Sequence, residues 1–568
     1  MGKPLIQLPE LTLNALFDYS RANYDDRPAL SLVDGEVVSY AQFATNVAEV
    51  QLLLSSHGIR RGDKVALYSE NMPNWGIIYF AVTTMGAVVV PILPDFHPSE
   101  ALHIATHAEC RAAFISQKLM AALLDESNPP ALTLVVYTNN LEILADFSSP
   151  DKVTLALQKG QKHLQSAMEK LGREIEMNPI KEDDLAAIIY TSGTTGNSKG
   201  VMLTHKNLTF EAIAAQHIVE IYPQDRFLSV LPLAHTYECT IGLLIPLLNG
   251  ASVFYISKRP TPTVLLKALS AVKPTFMLSV PLIIEKIYKN KIQPNFQKNL
   301  LMRMLYAIPA VRKMFNRIAG KKLMETFGGE LRFFGIGGAA LSPLVEKFLR
   351  EAEFPYCIGY GLTETSPLLA GTNPSKTKFR AIGPAMEGIE LELRDQNEEG
   401  IGLLWARGPN VMKGYYKDPE RTATVLDQEG WLNTEDIGYF DEDGYFFMHG
   451  RAKNIIVGPG GENIYPEQIE AVINAHDLVA DALVYDDNGV LTARINLDYD
   501  KVDERFGVSY TSETKVHGKI EKLLEEIRSE VNGKLSSFSR IRKVIEQREP
   551  FVKTPTKKIK RYLYVGSK

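Results

Sequence analysis

Cysteine is scarce. Cys110, Cys239 and Cys357 are the only three in a chain of 568 residues. They stand far apart, in no metal-ligand spacing and no disulfide framework, which fits a reducing, cytoplasmic setting. Long apolar runs are also missing. No stretch reaches the roughly 18 uninterrupted apolar residues of a spanning helix. The longest candidate, Ile241 to Tyr255, is broken by Pro246, Asn249 and Gly250. The first residues, MGKPLIQLPEL, carry no apolar stretch that reads as a secretory signal, and position 6 lacks the Ser or Thr of a myristoylation pattern. Attachment to the inner surface of a membrane stays open. A surplus of charge is absent too: 62 basic against 67 acidic residues give a net −5, which speaks against nucleic acid as a partner. At this length, with 45% hydrophobic and 23% charged residues, two or more globular domains are expected.

The most informative stretch is YTSGTTGNSKGV, Tyr190 to Val201. An apolar run, Leu185 to Tyr190, precedes it as a buried strand, and Asn207 reads as the N-cap of a helix from about Leu208. A strand, a loop rich in glycine and hydroxyls, and a helix together suit phosphate binding. Glycines bring backbone N–H groups close to an anion, hydroxyls add donors, and Lys199 adds a point charge. The residues offered are Thr191, Ser192, Gly193, Thr194, Thr195, Gly196 and Lys199. The lysine follows Gly196 by three residues and is followed by Gly200, so this is not the GxxxxGK[ST] loop of kinases and GTPases.

Residues 1–180 alternate helical and strand patterns, the mark of a parallel sheet covered by helices. Helices are expected at Leu11 to Tyr24, Tyr40 to His57 and Trp75 to Gly86. Strands are expected at Lys64 to Ser69 and Ala87 to Leu93, with a hairpin over Ala29 to Ser39 around Asp34-Gly35. Residues 140–183 read as polar and helical. Phe227 to Leu233 reads as a strand ending at LPLAHTYE, which puts His235 and Tyr237 at its end. Ser279 to Ile292 reads as an amphipathic helix. LRFFGIGGAALSP is a strand ending in Gly335, Gly337 and Gly338, with Ser342 as a helix cap; glycines there admit a flat ligand. In YGLTETSP, Tyr360 offers a stacking ring, Gly361 and Thr363 flank it, and Glu364 offers a hard oxygen for Mg²⁺ beside phosphates. From Ile382 the pattern changes to short strands. Asp436, in WLNTEDIG, is a carboxylate suited to two ribose hydroxyls. Arg451 and Lys453 follow in GRAKNIIVGPGGENIYP, and a basic tail, TPTKKIKRYLYV, ends the chain.

These strings, in this order, resemble the adenylate-forming superfamily of acyl-CoA synthetases, luciferases and peptide-synthetase adenylation domains. HTYE and Ser279 to Ile292 are similar to the long-chain fatty acid–CoA ligase branch. The resemblance covers roughly residues 10–565. It implies an α/β fold: a large N-terminal domain of parallel-rich sheets covered by helices, with a β-subdomain, and a small mobile α+β C-terminal domain. The boundaries it implies are 1–450, a hinge at 451–453 centred on Lys453, and 454–568. It places Gly338, Ala339 and Ala340 against adenine, and Arg451 on ribose or phosphate. His235, Tyr237 and Gly337 fall beside the acyl group. Gly460, Gly461 and Glu462 line the path of a thiol. In the tail the family pattern puts Lys558 on the reacting carboxylate, with Lys557 beside it where the family has glycine. Two departures stand out: Ser198 replaces a common proline, and Glu435 replaces the glycine before Asp436.

The implied reaction uses ATP and Mg²⁺ to turn a fatty acid into acyl-AMP, then passes the acyl group to CoA. The catalytic set is then Lys558, Thr191, Lys199, Glu364 and His235. Three alternatives remain from sequence: acyl carrier protein as the thiol acceptor, an aryl or other carboxylate as substrate, and an inactive nucleotide-binding homologue. A membrane-bound lipid-binding scaffold is a fourth. Oligomeric state, including a homodimer, is left open.

Overall fold

A computed structural model describes residues 5–120, 131–146, 179–191, 198–258, 261–458, 462–506, 513–554 and 558–565. Two eight-stranded sheets dominate. One runs Leu368–Gly371, Tyr356–Gly361, Phe333–Ile336, Phe276–Ser279, Arg226–Ser229, Ser252–Tyr255, Pro28–Leu32, Val37–Ser39. Its inner strands are parallel and only the two edge strands are antiparallel. The other runs Gly414–Tyr415, Lys199–Thr204, Leu185–Thr191, Val88–Ile92, Lys64–Tyr68, Cys110–Ile115, Leu134–Tyr137, Ile143–Asp146. Here too a parallel centre is closed by antiparallel strands. Strands covered on both faces need side chains that are apolar on both faces. The run Val88–Ile92 supplies this and is buried throughout.

Helix Pro73–Thr84 lies between the sheets. It is buried from Trp75 to Thr84 and touches Pro28–Leu32 of one sheet and Lys64–Tyr68 and Val88–Ile92 of the other. A helix apolar on every side belongs in such an interior layer. Beyond Ile382 come a four-stranded antiparallel sheet (Glu390–Arg394, Gly402–Arg407, Leu432–Phe440, Phe446–Arg451) and an α+β unit with its own core. That unit packs Pro466–Asn474 and Glu513–Asn532 around Val479–Asp487, Val490–Leu497 and Lys543–Glu546. The fold class expected from the sequence is the one observed.

Two expectations about elements are corrected. Residues 143–146 form an edge strand rather than helix, because ILAD pairs with Leu134–Tyr137. Of the rest of the expected 140–183 helix, 147–178 lie outside the described residues. The strand expected to reach Leu233 stops at Ser229, where Asn71 captures the chain. Its Nδ2 donates to Ser229 Oγ at 2.9 Å and to Leu231 O at 2.6 Å, and its Oδ1 accepts from Leu233 N at 2.9 Å.

One contact makes the fold sensitive to acid. Helix Leu13–Tyr24 begins with Thr12 Oγ1 accepting from Ala15 N at 3.1 Å, while Leu13 N donates to Nδ1 of the buried His205 at 3.2 Å. Burial lowers the His205 pKa from 6.5 to about 4. The unfolded chain therefore takes up this proton first, so the stability it contributes is present above about pH 6.5 and is lost as pH falls toward 4. That shift corresponds to roughly 3 kcal/mol. Urea midpoints measured across this range should fall, and His205→Asn, which keeps an acceptor but cannot titrate, should flatten the fall. An equal slope in the variant would place the acid sensitivity elsewhere.

Candidate active site

The carboxyl ends of the parallel strands converge on one cleft, the usual place for a ligand in such sheets. The glycine-rich loop enters from Leu185–Thr191 and returns through Lys199–Thr204, with Tyr190 opposite Gly200 and Thr191 opposite Lys199. This corrects the expected strand–loop–helix. The loop joins two antiparallel strands, and the helix follows the second. Gly200 makes the return possible: a Cβ there would sit 2.9 Å from Ile188 Cγ2 and 3.1 Å from Tyr190 Cζ. The helix starts at His205, capped by Thr204 and not by Asn207. Asn207 is the third residue of the capping box, its Oδ1 accepting from Thr204 N at 2.8 Å. Ser192, Gly193, Thr194, Thr195 and Gly196 lie outside the described residues.

Lys199 emerges from this hairpin over the ring of Tyr415, 4.9 Å from its centroid. The Tyr415 hydroxyl donates to Glu364 Oε1 at 2.9 Å. Desolvation, and then Arg421, lower the Lys199 pKa. Across the cleft, Asp436 and Arg451 face each other on neighbouring antiparallel strands. Arg451 Nε lies 2.9 Å from Asp436 Oδ1, and the Tyr360 hydroxyl donates to Asp436 Oδ2 at 2.6 Å. Burial raises the Asp436 pKa while Arg451 opposes the rise. The Tyr360 ring is itself buried against Phe446, at 5.7 Å.

Glu435 occupies its glycine-like position in the left-handed region, at φ 59. The backbone shape survives the substitution at a cost of roughly 1–2 kcal/mol. Asn433 Oδ1 supports it by accepting from Glu435 N at 2.9 Å, and the Glu435 carboxylate lies 3.7 Å from Lys453 Nζ and 3.9 Å from Arg451 Nη1.

His235 stands at the mouth of the cleft, its Nδ1 accepting from Tyr237 N at 3.2 Å. Burial first, then Lys558, lower its pKa to about 4, so the ring is neutral near pH 7 with its proton on Nε2. Below it a π-helical turn, Tyr237–Leu244, lines an apolar cavity. Tyr237, Ile241, Phe276, Phe333, Cys357 and Ile358 form walls, and Gly335 and Gly359 keep them apart. A Cβ at Gly337 would come within 3.1 Å of Tyr237 Cζ, so glycine admits the tyrosine ring beside the cavity. Gly338 takes φ +84 and, with Ala339 and Ala340, is exposed at the cleft.

The C-terminal unit reaches the cleft through Lys558. Lys558 interacts electrostatically with Arg451, Asp436, Glu364, Lys453 and His235; desolvation, then Arg451, lower its pKa. Its loop is fastened on both sides. Lys553 pairs with Asp481, and Arg561 Nη2 lies 2.6 Å from both oxygens of Glu470. Lys557 lies outside the described residues. The unit is also tied to the body: Lys289 Nζ donates to Asn474 O at 2.9 Å and Val479 O at 3.1 Å, and Gln293 Nε2 to Asp477 Oδ1 at 2.7 Å.

A family model described as "AMP-binding enzyme" matches residues 17–416. The chain belongs to the AMP-binding enzyme family. It is similar to "Long chain acyl-CoA synthetase 6, peroxisomal" of Arabidopsis thaliana, 31% identical over 537 residues, covering 86% of this chain and 74% of the relative. It is similar to "Long-chain-fatty-acid--CoA ligase FadD15" of Mycobacterium bovis, 30% identical with 83% and 79% covered. Among solved structures, ATP-bound MatB from Rhodopseudomonas palustris shares the fold: TM-score 0.73, 23% identity, 96% of this chain and 97% of that one.

For an AMP-binding enzyme the charge balance of the cleft is informative. Lys199, Arg421, Arg451, Lys453 and Lys558 face Glu364, Glu435 and Asp436, and the three lysines have depressed pKa values. Crowded, partly desolvated cations are relieved by a polyanion. The residues also fit Mg²⁺. Among the described residues no cluster of three or more His, Cys, Asp or Glu offers a complete cage. Glu364 alone suits an ion that keeps its waters and takes phosphate oxygens. Thr363 is buried beside it. Glu462 O accepts from Gly458 N at 2.8 Å, next to Gly460 and Gly461, which lie outside the described residues. Gly361 is fixed by packing, since a Cβ would fall 1.7 Å from Pro367 O. Sequence reasoning missed Asn71, Tyr415 and Arg421. Tyr415 had one available signal: it directly follows the Gly414 of VMKGYY.

Proposed function

We propose that this enzyme is an AMP-forming fatty acid–CoA ligase, using ATP, Mg²⁺ and CoA, with long-chain acids as its preferred substrates. One observation carries the reading: the cation cluster reaches His235 through Lys558, and Tyr237, two residues on, lines a cavity with almost no polar lining. Such a cavity takes an alkyl chain, and the cleft takes its carboxylate and a triphosphate. The names of the relatives, which specify long-chain acids and CoA, support the same substrates.

In the first half-reaction a carboxylate oxygen attacks the α-phosphorus of ATP and pyrophosphate leaves. Both reactants are anions, so the protein's contribution is alignment and positive charge. Lys199 and the loop donors hold the departing phosphates, and Lys558 bridges carboxylate and α-phosphate. Asp436 and Arg451 fix the ribose. His235, neutral and donating through Nε2, orients the carboxylate without adding a charge. Glu364 would hold Mg²⁺, which neutralises phosphate charge when bound. In the second half-reaction the CoA sulfur attacks the acyl carbon, its proton passes to solvent, and AMP leaves. The small unit, 454–568, turns about Lys453 between the two steps and brings Gly460 to Glu462 toward the thiol.

The test is pyrophosphate release with acetate, octanoate, palmitate and a cinnamate-type acid, each with CoA, acyl carrier protein or no acceptor. Turnover should be highest with palmitate and CoA. Palmitate turnover only with carrier protein would move the acceptor, and turnover with cinnamate alone would overturn the fatty acyl reading.

A further inference from the structure

From Lys286 to Met324 the chain contains no aspartate or glutamate and ten lysines and arginines, although the whole protein is net negative at −5. This segment folds as a chain of helical pieces running from Pro281–Ile287 through Leu300–Ala307 to Pro309–Thr326. It begins beside the cleft, where Glu285 Oε1 accepts from Ser342 N at 2.8 Å. Its far part is unusually apolar at the surface. Leu300, Leu301 and Met304 are 73%, 65% and 63% exposed, and Ile308, Met314 and Ile318 are about half exposed. At about 100° per residue the first three fall on one side of their short helix. Tyr306 and Phe296 stack inward, at 4.4 Å, and hold the opposite side to the body.

Exposed cations border this apolar face: Lys298, Arg303, Lys313, Lys321 and Lys322. None of the five has an ion pair among the described residues, whereas Arg312 and Arg317 are matched by Glu351 and Glu353. Apolar side chains ringed by unmatched cations are the composition of an element that lies in the headgroup region of a bilayer. No helix among the described residues is long and apolar enough to cross a membrane, so the contact is interfacial.

We propose that residues 298–322 dock this protein on bilayers that carry anionic phospholipids. The cations approach the headgroups while Leu300, Leu301 and Met304 enter the acyl boundary. On the fatty acid reading, which this inference extends but does not require, the enzyme then works where its poorly soluble acid is concentrated.

The full-length protein should float with vesicles of phosphatidylcholine and phosphatidylglycerol, and about tenfold less with phosphatidylcholine alone or in high salt. Two surface variants separate the contributions. Leu300→Ser with Leu301→Ser and Met304→Ser should abolish flotation. Lys298→Glu with Arg303→Glu and Lys313→Glu should weaken it tenfold or more. Pyrophosphate release from octanoate without vesicles should be unchanged in both, which keeps the docking result independent of the reaction. No flotation of the native protein, or equal flotation of the variants, would overturn the proposal. So would light scattering that shows a dimer abolished by the serine variant, since the face would then belong to a second copy.

Discussion

Lys558→Ala should lower acyl-adenylate formation by a hundredfold or more, measured as fatty-acid-dependent pyrophosphate exchange. Thioester formation from supplied acyl adenylate and CoA should be largely retained. The split follows from geometry. Among the described residues, Lys558 is the cleft cation carried by the C-terminal loop, anchored by Lys553–Asp481 and Arg561–Glu470. On the proposed rotation of that unit, the lysine leaves with it and the second step proceeds in its absence. Lys557→Ala should behave like the native enzyme. Loss of both half-reactions, or damage from Lys557→Ala instead, would show that the working lysine is misassigned. The alkaline limb of kcat/KM for adenylation, which reports the free enzyme, should also appear at lower pH than an ordinary lysine allows, because desolvation and Arg451 lower the Lys558 pKa below 10.5.

Asp436→Asn should be nearly as damaging for a different reason. The carboxylate is buried, paired with Arg451 at 2.9 Å and held by Tyr360 at 2.6 Å. Removing its charge leaves a guanidinium facing an amide and, on the proposed ribose role, turns one of its two acceptor oxygens into a donor. Breaking such a pair from one side costs about 3–5 kcal/mol. That should appear mainly as weaker ATP binding, on the order of a hundredfold, in equilibrium titration. A variant with native ATP affinity would remove Asp436 from the nucleotide site.

How far the sequence could be read depended on distance along the chain. Lys199, Glu364, Asp436 and Arg451 sit in compact strings whose residue types already suggest phosphate, metal and ribose, and the fold brings them to one cleft. Asn71 was invisible because its partners lie about 160 residues away and a lone asparagine carries no pattern. Sheet order was invisible for the same reason: Pro28–Leu32 pairs with Ser252–Tyr255, and no local periodicity encodes that choice. The return strand after the glycine loop was missed because VMLT reads equally well as the approach to a helix. Only pairing with Leu185–Thr191 decides it. Glu435 shows the opposite case. Its departure from glycine was plain in the sequence, yet only the φ of 59 shows that the backbone shape was kept.

Cys357 lines the apolar cavity, and burial holds its thiol pKa well above the ordinary value. Cys110 and Cys239 are buried as well. A mixed anhydride is an electrophile that reacts with thiolates, and on the proposed reaction this protein makes one while holding a thiol in the wall of its alkyl cavity. Burial keeps that sulfur protonated, and a thiol is a far weaker nucleophile than a thiolate. A buried, protonated Cys357 is therefore a poor rival to the thiol that enters from outside.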